Sequence, residues 1–219
     1  MRNRKIWLLG MVQALFEGAM YTFVFLWTPS IDAAEQRTHD LDHPPLGIVF
    51  GSFMLAMMLG STLFRVAVAQ QHTVVECLKW SLVLAAVVLG IAAVTKNVFV
   101  LFLCFFLFEV ACGIFYPSIA TLRGEILPEA DRAGIMGWFR VPLNLIAVIT
   151  MMMVNAASNG AMLIVCSVLC VGAFVAHRQL TAELLKEKRA ELEAAGQLGS
   201  SPSAIHPKEA AEAAADIVV

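Results

Sequence analysis

Three ionisable side chains stand deep inside long apolar runs: Glu17, Glu109 and Arg140. A charge in hydrocarbon costs at least ~2.5–3.5 kcal/mol on insertion scales, so such residues are rare unless they face an interior path or one another. Each has polar company at helical spacing. Gln13, Glu17 and Tyr21 recur every four residues, Glu109 shares a face with Cys112, Gly113 and Tyr116, and Arg140 shares one with Asn144. An arginine among carboxylates supports two kinds of chemistry. Glu109 and Arg140 could form a buried ion pair that fixes helix packing and handles no solute. Alternatively, the planar fork of the guanidinium receives an oxyanion in a polar cavity, while an acid holds the charge of the empty site or takes up a proton. For Glu17 a further reading is a protonated carboxylic acid hydrogen-bonded to a neighbour.

The elements that must carry these residues follow from composition. Hydrophobic residues make up 59% of the 219-residue chain and charged residues 15%, a balance foreign to soluble domains. Mean hydropathy is +0.77. The chain therefore reads as an all-α integral membrane protein. A spanning helix needs about 20 mostly apolar residues. Six segments qualify, at about 6–28, 46–69, 74–94, 98–120, 133–154 and 159–177. The first outlasts the apolar core of a signal peptide and lacks a small-residue cleavage site, so it is expected to be retained. At a rise of ~1.5 Å per residue, Glu17 and Glu109 sit roughly 16 and 18 Å from the inner ends of their helices, and Arg140 about 10–12 Å. Both acids are near the midplane, within reach of the arginine's long side chain.

Eleven of the fifteen Lys and Arg residues fall on one set of alternate flanks, and two, Arg37 and Lys96, on the other. Basic loops stay on the cytoplasmic side, so both termini are expected there. Gly47, Gly51, Ala56 and Gly60 lie along the second segment at spacings that let helices approach closely in lipid. The third and sixth segments carry little polar material and are expected to face lipid. Pro117 and Pro142 each remove a backbone donor and are expected to kink their helices. Residues 178–195 read as a charged helix and the rest of the 178–219 tail as cytoplasmic and disordered. His39 and His43 in the first external loop are four apart, but a solvated polar loop accounts for them.

The remaining signals exclude more than they suggest. The net charge of −2 gives no case for nucleic acid. The five cysteines lie in or beside apolar runs without zinc-ligand spacing and read as soft packing residues. No zinc-protease, serine-hydrolase or phosphate-loop motif is present, so neither an enzyme, a metal site nor a cofactor is expected. Nor is there the repeated filter or charged ring of a channel.

Four strings then carry a family likeness. EGAMYTFVFLWTP, GIVFGSFMLAMMLGS, FEVACGIFYPS and WFRVPLN resemble the carboxy-terminal half of the molybdate-anion transporters, a branch of the major facilitator superfamily. The likeness runs from about Gln13 to Leu145. It implies one six-helix half, a 3+3 inverted repeat, of a twelve-helix transporter, and hence an amino-terminal six-helix partner half. In such folds the first, second, fourth and fifth helices of a half line the cavity. The implied substrate is molybdate, moved by alternating access across the plasma membrane. The residues expected to serve it are Arg140 and Asn144 as anion contacts and Glu109 and Glu17 as counter-ion or proton-coupling acid, with Gln13, Tyr21 and Tyr116 beside them. Transport of another anion such as sulfate, or a non-transporting scaffold or regulatory role, are the alternatives.

Overall fold

The computed structural model describes residues 2–38, 46–154 and 157–194. Those residues form six long helices and no strand: α1 (Arg2–Thr38), α2 (Leu46–Ala69), α3 (Val74–Val94), α4 (Val98–Ile126), α5 (Arg132–Val154) and α6 (Asn159–Ala194), with one 3₁₀ turn at Glu129–Asp131 before α5. All six are long and apolar enough to cross a membrane. The protein is a multi-pass membrane protein. His39, His43 and the tail beyond Ala194 lie outside the described residues.

Local chemistry sets several helix ends. Thr73 opens α3 through a capping box: its hydroxyl accepts from the Glu76 N–H at 3.1 Å, and the Glu76 carboxylate accepts from the Thr73 N–H at 3.4 Å. Asn97 opens α4, its side-chain oxygen accepting from the N–H groups of Phe99 and Val100. Gln71, at φ 65°, occupies the left-handed position that lets the chain turn sharply from α2 into α3.

Three helices run past the ranges that hydropathy assigns. α1 extends to Thr38, α4 to Ile126, and α6 continues unbroken into the charged stretch as far as Ala194. Hydropathy stops where the membrane stops, whereas backbone hydrogen bonding does not. Pro117 and Pro142 sit inside α4 and α5 without ending either helix.

The packing has an internal two-fold pattern. Exchanging α1 for α4, α2 for α5 and α3 for α6 carries α1–α6 onto α4–α3 and α1–α5 onto α4–α2, while α3–α6 and α1–α4 map onto themselves. That is the arrangement a 3+3 repeat requires. Where α1 and α4 meet, phenylalanines fill the centre: Phe16 stacks on Phe115 with centroids 3.9 Å apart, and Phe23 lies 4.7 Å from Phe108 and 5.0 Å from Phe105. The five cysteines are free and buried within this packing.

α3 and α6, expected to face lipid, each pack on the other and on α4 or α1 and keep an apolar outer face bearing residues such as Val87, Ile91, Ile164 and Val168. The least covered helices are α2, seated mainly on α4, and α5, seated mainly on α1. The small residues of α2 also divide. A Cβ on Gly60 would come 2.2 Å from the Val110 carbonyl oxygen, and one on Gly113 would come 2.2 Å from that of Met57, so these glycines form a backbone-to-backbone crossing. A Cβ on Gly47 or Gly51 would meet nothing within 4 Å, so neither mediates contact in this bundle.

Candidate substrate path

The α1 stripe is the spine of the site. One turn apart, the Gln13 amide donates to Glu17 Oε1 at 3.0 Å. The Gln13 carbonyl oxygen in turn accepts from Arg123 Nη1 at 3.4 Å, joining α1 to the last turn of α4. Gln13 is buried, while Glu17 and Arg123 are half-buried. The guanidinium groups of Arg123 and Arg140 both act electrostatically on Glu17. Tyr21, a turn beyond Glu17, is exposed.

α5 is oriented by its contact with α1. Phe139, Leu143, Ile146 and Thr150 recur at helical spacing. Gly10 faces the Phe139 ring, Gly18 faces Ile146, and the Thr22 hydroxyl donates to Thr150 Oγ1 at 2.9 Å. Gly10, Ala14, Gly18 and Thr22 are each four apart, so α1 presents a small-residue groove into which α5 fits its larger side chains. With that face engaged, Arg140 and Asn144 are exposed on the other side of α5. They belong to an open face of the bundle rather than its interior.

Glu109 lies elsewhere. It is buried at 6% exposure, and its Oε2 has no hydrogen-bond partner among the described residues. Cys112 and Tyr116, on its own helix, are the groups it influences. The Tyr116 hydroxyl itself reaches Met20 Sδ at 2.8 Å and stands within electrostatic range of Glu17 and Tyr21. Tyr116 therefore sits between the two acids. No ion pair joins Glu109 to Arg140 among the described residues; α5 packs mainly on α1, and α4 mainly on α3 and α2.

The structure thus brings Gln13, Glu17, Tyr21 and Tyr116 together, leaves Arg140 exposed on α5 with Asn144 and within electrostatic range of Glu17, and sets Glu109 apart. It also adds Arg123, which flank counting assigns to a loop. The signal was available: Arg123 lies seven residues after Tyr116, two helical turns along the same face, if α4 is allowed to run on. A carboxylate, an amide and a guanidinium linked in this way, with a second guanidinium exposed on α5, offer charge-assisted hydrogen bonds to a tetrahedral oxyanion, with Glu17 balancing the charge when it is absent.

Comparison with known proteins finds relatives among transporters. A family model described as sugar transporters with 12 transmembrane segments matches residues 1–104. The molybdate-anion transporter of Xenopus tropicalis is 39% identical over 154 residues, covering 67% of this chain and 32% of the relative. That of Danio rerio is 37% identical over 169 residues, covering 73% of this chain and 33% of the relative. The chain spans about a third of the length of these curated relatives. On its six-helix architecture and these likenesses, the chain belongs to the molybdate-anion transporter family of the major facilitator superfamily.

Proposed function

We propose that this chain forms one wall of an alternating-access path for molybdate. The observation that carries the reading is the run of contacts from Glu17 through Gln13 to Arg123, with Arg140 exposed on the neighbouring α5 and acting electrostatically on Glu17. A sugar site would need neutral hydrogen-bonding groups around aromatic platforms. Guanidinium groups held near a carboxylate suit a dianion better. In the empty path Glu17 balances the arginines. An arriving oxyanion takes over their donors, with the Asn144 amide able to add another. Glu109, removed from those contacts, is assigned to proton handling rather than to neutralising Arg140.

The proposal extends to the surroundings. A second six-helix bundle seats against α2 and α5, whose outward faces are the least covered and carry both apolar side chains and the exposed Arg140. Both termini lie in the cytoplasm, as the basic flanks require, and the host membrane is the plasma membrane. The test is uptake of radiolabelled molybdate by transport-deficient cells expressing this chain, alone and with an amino-terminal six-helix half. Saturable uptake that Arg140→Lys impairs, despite retained charge, is expected. Sulfate taken up in preference to molybdate would replace the substrate, and no uptake under either arrangement would favour a scaffold.

A further inference from the structure

At the end of the bundle where α3 begins and the charged part of α6 leaves the hydrocarbon, a cavity of about 360 Å³ opens between these two helices. This volume lies at the lower end of the ~300–1,000 Å³ that small-molecule sites occupy. His177 on its wall is 2% exposed, and its Nδ1 has no hydrogen-bond partner among the described residues. Lys79 and Arg178 stand at the rim, and neither has a carboxylate within ion-pair distance among the described residues. Lys79 instead lies 4.9 Å from the centre of the Trp80 ring. The acid on the wall, Glu76, is already engaged by the Thr73 N–H at 3.4 Å and faces His72 at 3.7 Å. The cavity is therefore net cationic, and the first turn of α3 adds the positive end of a helix dipole.

The rest of the lining is apolar, including Val75, Leu184 and Leu185, and Trp80 beside it is 63% exposed. Trp7, Trp80 and Trp138 all lie in the first two turns of α1, α3 and α5, and all are exposed, which marks this level as the membrane–water interface. A cationic rim over an apolar wall at headgroup depth does not describe a site for a freely soluble ion. We propose that this cavity binds the phosphate-bearing headgroup of an anionic phospholipid. The phosphate sits on Lys79 and Arg178, the glycerol and first acyl carbons run along Val75, Leu184 and Leu185, and the His177 imidazole meets the polar headgroup substituent. The site is separate from the proposed oxyanion path and does not depend on it.

Native mass spectrometry of the full chain in detergent tests this with three probes: phosphatidylserine, phosphatidylcholine and inorganic phosphate. Phosphatidylserine is expected to bind at least roughly tenfold more tightly than phosphatidylcholine, and Lys79→Gln with Arg178→Gln to weaken it by a similar factor. Lys186→Gln with Arg189→Gln removes equal charge at the same end, outside the cavity, and should leave affinity within about twofold. Equal losses in the two double variants would mean a diffuse basic surface and overturn the site. Inorganic phosphate binding as tightly as phosphatidylserine would overturn the lipid assignment, and indifference to headgroup charge would overturn both.

Discussion

At the α4–α2 crossing Gly113 meets Gly60 backbone to backbone, whereas at the equivalent α1–α5 crossing Gly10 and Gly18 receive the side chains of Phe139 and Ile146. The two crossings exchange under the internal two-fold pattern, so the same architectural task has two solutions. Contact between bare backbones leaves room only for a small polar group, such as the Ser61 hydroxyl that donates to the Gly113 carbonyl oxygen at 3.1 Å. Glu109, one turn before Gly113, is accordingly shut in with an unpartnered oxygen. Contact through side chains sets α5 further off. Glu17, next to Gly18, keeps partial access to the surface and gathers Gln13 as a partner, which Arg123 bonds in turn. How closely the helices approach, more than the presence of an acid, separates a buried carboxylate from a usable one.

The strongest way to break this comparison is to add volume at both crossings. Gly113→Leu should destabilise the protein at or beyond the ~3 kcal/mol end of overpacking costs, because the obstacle is a carbonyl oxygen that cannot turn aside. Gly10→Ala should cost only about 1 kcal/mol, since the Phe139 ring can move. Thermal unfolding in detergent measures both, and equal losses would dissolve the distinction. Next in size is the chemistry. Arg123→Gln should lower molybdate affinity roughly ten- to hundredfold, the range for losing a charged hydrogen-bond donor. Glu109→Gln, remote from the arginines, should leave equilibrium affinity within about twofold. Radioligand binding in detergent reads both, and the reverse order would put Glu109 back among the anion contacts.

Smaller effects sharpen the picture. Glu109→Leu removes a buried oxygen without a partner and should raise stability by ~1 kcal/mol or more, visible as a higher unfolding midpoint. A lower midpoint would mean that the carboxyl is satisfied by a group outside the described residues. Thr22→Val, which removes the hydroxyl bridge to Thr150, should cost about 0.6 kcal/mol, the average for polar contacts between helices in a bilayer.

Much of the fold was legible because the bilayer imposes it. Apolar length sets the number of spans, and six are found among the described residues. Neighbours were less legible. Small residues reveal that a helix can be approached but not by what, so Gly47 and Gly51 looked equivalent to Gly60 and are not. The Gly10, Ala14, Gly18 and Thr22 series, which seats α5, went unread although its spacing is plain. Of the site, the α1 stripe was readable from a spacing of four. Arg140 was visible as an intramembrane charge with both acids at a depth it could reach, but which acid it acts on was not, because depth along a helix says nothing about which helices are neighbours. Arg123 was hidden by the assumption that a basic residue at a span's end belongs to the loop.

The Gly60–Gly113 contact also bears on movement. Side chains that interdigitate must change rotamer before one helix can tilt on another, whereas here the backbones meet directly, and the Ser61 hydroxyl, which donates to the Gly113 carbonyl oxygen at 3.1 Å, is a tie that must give. Gly60 divides α2 unequally, with 14 residues toward Leu46 and nine toward Ala69. These lever arms are roughly 21 and 14 Å at ~1.5 Å per residue. A tilt of about 10° about this fulcrum would swing the Leu46 end by roughly 4 Å and the Ala69 end by roughly 2 Å in the opposite sense. In the proposed path, a pivot of this kind would open one mouth as it narrowed the other.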